Sequence, residues 1–505
     1  MICAGPVVHP GLPWAWAIPV LAGIVAVATW SLAASVPPAA SARQVSLARL
    51  PLAGRVLRWL AADPLPLSTL RLLAVFAFAA TVVIGFAGTV VPHENLATVL
   101  TWTVWWTLVV VSVLVVGTGW CSVCPLQTLA AWLVRRRLWG QTEDASSLGL
   151  KVPRALRSVW PALAMLAGLT WLELGEGITM SPAGTSALAL LMVVLATLSL
   201  AVFERGAFCR YFCPVGRTIG CYAQLSPVEL RPIDQRVCDS CTTLECFHGS
   251  AKVEACPTGL TMGRNMQNTY CLSCGACALA CTSHNVSWRL RPLAHEASTA
   301  ARPRLDEAWF MVGLLALATF HGVTMLPAWD DTVRALGRAV GDSTRLLASF
   351  SLLMVAGLAV PAALYALAVA LTRPAAPAPF RRRFSGLAFA VLPLAFAYHV
   401  AHNLTHLVRE GSALAGTLFD PLGRGLPPDP LVARLGLLPL LPAPMLFAAQ
   451  SVLMLGGFWL SMQILRRRGA LLGLAGWRLA PMVAFGLAIS VLDIWILTHA
   501  MVMRM

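Results

Sequence analysis

Ten apolar stretches, each long enough to cross a lipid bilayer, constrain this chain more than any other feature. They lie at roughly 14–36, 68–91, 96–118, 158–180 and 184–203, then at roughly 305–326, 345–371, 384–408, 438–465 and 479–503. About 20 apolar residues in a helix match the ~30 Å hydrocarbon layer. Composition agrees, because 58% of the 505 residues are hydrophobic and 12% are charged, too apolar for a soluble multidomain protein. The expectation is an all-α polytopic membrane protein of about ten transmembrane helices. A net charge of +15 does not argue for nucleic acid, since the arginines sit in short runs between apolar stretches, as at a membrane surface.

Those runs set an orientation. Arg43, Arg49, Arg55 and Arg58 follow the first span, and Arg135, Arg136, Arg137, Lys151, Arg154 and Arg157 follow the third. Arg381, Arg382 and Arg383 precede the eighth, and Arg466, Arg467 and Arg468 follow the ninth. Alternating spans put all of them on one side, which the positive charge marks as the cytoplasm. Both termini then face outward. The first span has no basic stretch before it and reads as an anchor, not a cleaved signal. The expected location is a bacterial cytoplasmic (inner) membrane.

Between the two blocks of about five spans lies an insert, 206–304, within which residues 206–291 hold eleven of the fourteen cysteines. Its core reads Cys238-x2-Cys241-x4-Cys246-x9-Cys256-Pro257, then Cys271-x2-Cys274-x2-Cys277-x3-Cys281. The second run has the ligand spacing of a bacterial [4Fe–4S] ferredoxin, in which three close thiolates bind one cluster and the fourth reaches the other. On that logic Cys271, Cys274 and Cys277 pair with Cys256, while Cys238, Cys241 and Cys246 pair with Cys281. Gly275 would let the backbone approach the cube. The first run is stretched relative to the ferredoxin pattern. Structural zinc would explain CxxC pairs but does not need eight cysteines ending in this run, and disulfides fit a cytoplasmic segment poorly. The expected domains are a membrane block at 1–205, a cytoplasmic ferredoxin-like 2[4Fe–4S] domain at 206–304, and a second membrane block at 305–505.

Two further pairs, Cys121-x2-Cys124-Pro125 and Cys209-x3-Cys213-Pro214, fall at the cytoplasmic ends of helices beside basic residues, which would favour the thiolate. They suit a third metal site, a thiol–disulfide couple, or a docking surface for the ferredoxin domain. Cys221 has no obvious partner, and Cys3 lies outside.

Gly119-Trp120-Cys121-Ser122-Val123-Cys124-Pro125, Cys209-Arg210-Tyr211-Phe212-Cys213-Pro214, Ala255-Cys256-Pro257-Thr258-Gly259-Leu260 and Cys271-Leu272-Ser273-Cys274-Gly275 resemble the membrane polyferredoxins of the NapH, NosR and CcoG type, over roughly residues 68–304. The resemblance implies electron transfer at the cytoplasmic membrane, often between the quinone pool and an extracytoplasmic acceptor. Residues 305–505 have no counterpart in it.

The second block carries histidines instead. His399, His402 and His406 follow one helical face at i, i+3 and i+7, with His321 and His499 near the outward ends of two other spans. All five are expected at similar depth toward the outer leaflet, where convergence suggests a haem b or copper site. Helix–helix hydrogen bonding is the alternative. Met325, Met501 and Met503 lie nearby. Glu173 and Glu176 mark the outer end of the fourth span, either as proton or quinone ligands or as an ordinary helix end at Gly175 and Gly177. The sequence therefore reads as an iron–sulfur electron-transfer protein, quinol dehydrogenase-like, linking the quinone pool or a cytoplasmic donor with an extracytoplasmic redox enzyme or carrier. The alternative is a copper or iron reductase, or assembly factor, for a respiratory metalloenzyme. The direction of electron flow is open.

Overall fold

The computed structural model describes residues 7–35, 44–62, 65–135, 147–250, 253–342, 344–427 and 429–503. Cys3, Arg43, Arg136 and Arg137 lie outside the described residues, as does the side chain of Met503. Among the described residues nine helices are long and apolar enough to cross a membrane: Trp14–Ala33, Leu65–Ala87, Leu96–Val116, Pro182–Val202, Leu305–Thr324, Leu347–Leu371, Phe380–Glu410, Ala443–Ala470 and Gly476–Thr498. Each coincides with an expected span. The tenth expectation, 158–180, is a helix of 15 residues, Trp160–Leu174, about 22 Å long and so shorter than the ~30 Å hydrocarbon layer. It stops because Gly175 and the left-handed Gly177 (φ +66°) turn the chain into a 3-10 segment at Ile178–Met180.

Contacts between distant loops define two ends of the bundle. At one end the strands Val7–His9 and Met501–Met503 pair antiparallel, and the Val502 N–H donates to the Met325 carbonyl at 3.0 Å. At the other, Val45–Ser46, Val286–Leu290 and Val228–Pro232 form one antiparallel sheet in that order. The loop after the first helix is thus woven into the cysteine-bearing segment. Arginines of the basic loops gather at this second end and bind helix termini. Arg383 Nη1 donates to the carbonyls of Val369 and Thr372 at 2.8 and 2.7 Å, and Arg466 Nη2 donates to those of Ala34 and Ser35. Free carbonyls at a helix C-terminus carry partial negative charge, so a guanidinium there is stabilising.

Phe380–Glu410 is the most enclosed of the nine helices and packs against Leu305–Thr324 and Ala443–Ala470. The cysteine-bearing segment has a separate small core, in which Leu230, Met262, Ala278 and Val286 surround Cys271 and Cys277. Ligand-type residues are therefore part of its interior. Beside the sheet, Glu229 meets Arg289 at 2.6 Å and Arg291 at 2.8 Å, while Glu296 meets Arg291 at 2.6 Å and Arg231 at 3.7 Å. Three guanidiniums face two carboxylates, so this nearly buried network has surplus positive charge.

Candidate redox site

Cysteines of the insert act on one another electrostatically. Cys238 lies within electrostatic reach of Cys246, Cys281 and Cys241. Cys277 lies within reach of Cys274, Cys271, Cys256 and Cys246. Polar hydrogens point at the sulfurs. Asn285 donates from its side chain to Cys238 Sγ and from its backbone to Cys281 Sγ, both at 3.4 Å, and the Leu260 N–H donates to Cys256 Sγ at 3.3 Å. Such donors tune the potential of a cluster. Gly275 is left-handed (φ +74°), and a Cβ there would stand 3.0 Å from the Trp288 ring, so the tight turn between ligands needs glycine. Burial pushes the Cys271 thiol up to about 11, opposed by the nearby Arg231 guanidinium. Among the described residues no three His, Cys, Asp or Glu side chains meet closely enough for a single metal ion.

The two Cys–Pro pairs also come together. Cys121 is within electrostatic reach of Cys124, Cys209 and Cys213. Each proline opens a helix, Pro125–Arg135 and Pro214–Tyr222, where its missing N–H costs nothing. Cys213 caps the second, its sulfur accepting from the Gly216 N–H at 3.2 Å. The expectation that neighbouring arginines favour the thiolates is corrected by depth. Burial pushes Cys121 and Cys209 well up and Cys213 up to about 11, and the Arg217 guanidinium opposes it. This group is tied to the insert: Thr118 Oγ1 donates to the Cys271 carbonyl at 2.7 Å, and Arg210 Nη1 to the Thr258 carbonyl at 2.7 Å. Cys221 is buried one helical turn beyond Arg217 and free.

Four of the five sequence-selected histidines converge. The rings of His321 and His402 lie 5.0 Å apart, and those of His402 and His406 5.2 Å apart. His399 Nδ1 meets the Tyr222 hydroxyl at 3.2 Å and its ring packs on Trp106 at 5.7 Å. His499 is the exception, because the helix ends at Thr498 and its ring folds back onto Trp495, 4.3 Å away. The common depth expected for all five also fails. His399 reaches inward to the helix that carries Cys213, while His406 points to the end where the termini pair, through Glu410 at 3.2 Å.

His321, His399 and His402 share one cavity with Trp106, Thr170, Glu173, Thr218 and Asn403. Among the described residues, neither ring nitrogen of His402 has a hydrogen-bond partner there. Glu173 thus joins the histidines, whereas Glu176 is exposed in the turn before Gly177. Aromatic contacts connect the cavity to the Cys–Pro group: Trp120, next to Cys121, lies 5.6 Å from Trp105, which lies 6.0 Å from Trp106. Trp105 ends a π-helical stretch, Val99–Trp105, and Cys209 lies in another, Phe208–Phe212, a distortion that often marks functional sites.

Sequence reasoning missed four groups. Asp493, the sole acid of the last apolar stretch and legible as such, is buried and accepts from Thr319 Oγ1 at 2.9 Å. Arg217 and Tyr222 carried no signal, because their importance depends on where one short helix inserts. His9 gave none either, since it meets Glu410 at 2.9 Å only through pairing of the chain ends.

Cysteines at ferredoxin-like spacing beside a bundle of membrane-length helices suit the class of membrane iron–sulfur proteins. Two stretches, residues 98–141 and 184–227, match the family described as a 4Fe-4S binding domain, and each contains one Cys–Pro pair. The chain is 28% identical over 178 residues to the ferredoxin-type protein NapH of Haemophilus influenzae, which covers 32% of this chain and 58% of that relative. The match thus spans little more than half of the relative's length. No solved structure matches. With the apolar helices, these are likenesses to membrane-bound ferredoxin-type proteins.

Proposed function

We propose that this protein exchanges electrons between a quinone in the histidine cavity and two [4Fe–4S] clusters, one held by Cys238, Cys241, Cys246 and Cys281, the other by Cys256, Cys271, Cys274 and Cys277. The observation that carries this reading is the short helix Pro214–Tyr222. It starts on Cys213, contributes Thr218 to the cavity wall, and ends on Tyr222 against His399. At 1.5 Å per residue it spans only about 13 Å. Glu173, the histidines and Asn403 supply donors and acceptors for a quinone's two oxygens, and Trp106, Leu166, Leu314 and Leu317 supply apolar walls.

A quinol that becomes a quinone loses two electrons and two protons. Glu173 and His402, which both line the cavity, would take those protons. From His402 a file of His406, Glu410 and His9 runs to the end where the termini pair. The clusters, when bound, supply one-electron carriers at the opposite end. On this reading the chain is a bacterial inner-membrane protein with domains at 1–205, 206–304 and 305–505. Its insert and basic loops are cytoplasmic, and its termini and redox partner are extracytoplasmic.

A second reading, haem b or copper at the histidines, rests on the unpartnered nitrogens of His402, and with copper the protein would serve as a metal reductase or assembly factor. The rings at 5.0 and 5.2 Å are near neighbours, while axial ligands of one haem must stand on opposite faces of the macrocycle. Solvent extraction of the anaerobically purified protein is expected to release a quinone, with no b-type reduced-minus-oxidised band and no stoichiometric copper. A b-type band or one copper per chain, without quinone, would transfer the cavity to the second reading.

A further inference from the structure

The helix Pro214–Tyr222 stands between the histidine cavity and the cysteine-bearing insert. Its Thr218 lines the cavity. Its Gly220 lies so close to the insert that a Cβ there would stand 2.4 Å from the Thr269 carbonyl oxygen. Arg217, on the same helix, is 1% exposed, and among the described residues its Nε, Nη1 and Nη2 have no hydrogen-bond partner. Its guanidinium lies 4.7 Å over the Tyr270 ring, a contact that softens a cation but does not neutralise it. Tyr270 donates to Glu307 at 2.9 Å, and Glu307 meets the half-exposed Arg304 at 3.5 Å. From the surface inward, polar groups on this side of the cavity therefore run Arg304, Glu307, Tyr270, Arg217 and Thr218.

The opposite side of the cavity is built differently. The rings of His402 and His406 lie 5.2 Å apart, and Glu410 meets His406 at 3.2 Å and His9 at 2.9 Å. The Glu410 side chain is 23% exposed, so this file reaches the surface. Each member has an atom that can accept a proton, a neutral imidazole nitrogen or a carboxylate oxygen. Arg409 neighbours Glu410 in sequence and is not a member of the file.

We propose that Arg217 is an electrostatic barrier that closes the insert side of the cavity to protons, so that quinol protons leave through the histidine file to the end where the termini pair. The inference rests on the function proposed for the cavity and gives its proton exchange a side. A guanidinium keeps its protons at any physiological pH and has no acceptor atom, so it cannot relay one. Its fixed charge also repels a hydronium, as an arginine in a pore excludes protons. The missing partner matters here, because a carboxylate bonded to Arg217 would cancel that field. Glu307, the nearby acid, bonds Tyr270 and Arg304 instead. Each quinol oxidised to quinone passes two electrons to oxidised clusters, which lie beyond this helix on the insert side, and two protons to the opposite side.

The test uses the full-length protein in liposomes that contain a long-chain quinol, with a pH-sensitive dye trapped in the lumen. Ferricyanide, a membrane-impermeant one-electron oxidant, is added outside, so that turnover comes from molecules whose insert faces outward. Potassium with valinomycin removes the membrane potential, and protein-free liposomes give the background. The wild type should acidify the lumen by about two protons per quinol, the stoichiometry of the oxidation. Arg217→Gln removes the charge and keeps the length, and at wild-type iron content its lumenal yield should fall to about half or less as protons appear outside. Glu410→Gln should slow lumenal release without moving it outside. Protons released outside by the wild type would overturn the proposal, and that measurement stands even where an Arg217 variant does not assemble. Equal lumenal yields in wild type and Arg217→Gln would overturn it too. A wild type that oxidises no quinol would instead remove the function proposed for the cavity, and the barrier with it.

Discussion

Cys277→Ser is expected to remove about four iron per chain and to loosen the whole cysteine-bearing segment. The residue is 6% exposed, lies in the first turn of the helix Ala276–Ala280, and acts on Cys274, Cys271 and Cys256. A serine oxygen is a harder, poorer ligand for iron than a thiolate. The loss extends beyond chemistry because the small core of this segment is built partly from its ligands, Cys271 and Cys277 packing with Leu230, Met262, Ala278 and Val286. Where binding energy is folding energy, a lost cluster leaves little to hold such a segment together. The variant should therefore show both the iron deficit and proteolysis between Val228 and Leu290 under conditions that leave the wild type intact. Cys221→Ser, which alters a buried cysteine outside all three thiol groups, should change neither. Full iron content in Cys277→Ser would contradict the assignment of Cys256, Cys271, Cys274 and Cys277 to one cluster.

The second large effect belongs to the cavity. Glu173→Gln and His402→Ala should each slow electron exchange between the reduced protein and a lipid-soluble quinone by about 100-fold or more, the usual scale for loss of a positioned acid–base group. Glu173→Gln keeps the shape and removes the proton acceptor. His402→Ala removes the ring that connects the cavity to His406 and thence to Glu410 and His9. Both variants should retain the wild-type iron content, because neither residue touches a cysteine. Glu176→Gln and His499→Ala are the matched controls. Glu176 is exposed in a turn and His499 packs on Trp495, so neither should change the rate. Equal slowing in the controls would mean that the four residues act through packing.

Much of this arrangement is legible in the sequence, and the part that is not has a common cause. The helices could be read because bilayer thickness fixes how long an apolar run must be. That the cysteine-rich insert folds with ligand-type residues in its interior could be read from their close spacing, which only Cys271 and Cys277 carry into the core. His399, His402 and His406 share a face by helical period alone. The fourth span was overestimated because hydropathy continues through Ile178 and Met180, while Gly175 and Gly177 end the helix after Leu174. Convergence of separate segments was the harder matter. Glu173 joins His321 and His402 in one cavity, and Glu176, three residues on, does not. Arg217 and Tyr222 matter because the helix that starts at Cys213 runs inward between the thiols and His399, and no periodicity in nine residues announces that path. His499 failed for the opposite reason. Its position near the end of an apolar run suggested the shared depth, but the helix terminates one residue earlier and the ring turns back on its own chain.

The central claim is that the iron–sulfur centres and the histidine cavity form one electron path. It is tested most directly by reducing the full-length protein in anaerobic liposomes, adding a lipid-soluble quinone, and following the reduced-cluster EPR signals by rapid freezing. The account predicts that the signals disappear in the wild type and persist about 100-fold longer in His402→Ala at equal iron content. Reoxidation at the same rate in wild type and His402→Ala would contradict it, because electrons would then be reaching the quinone without passing through the cavity.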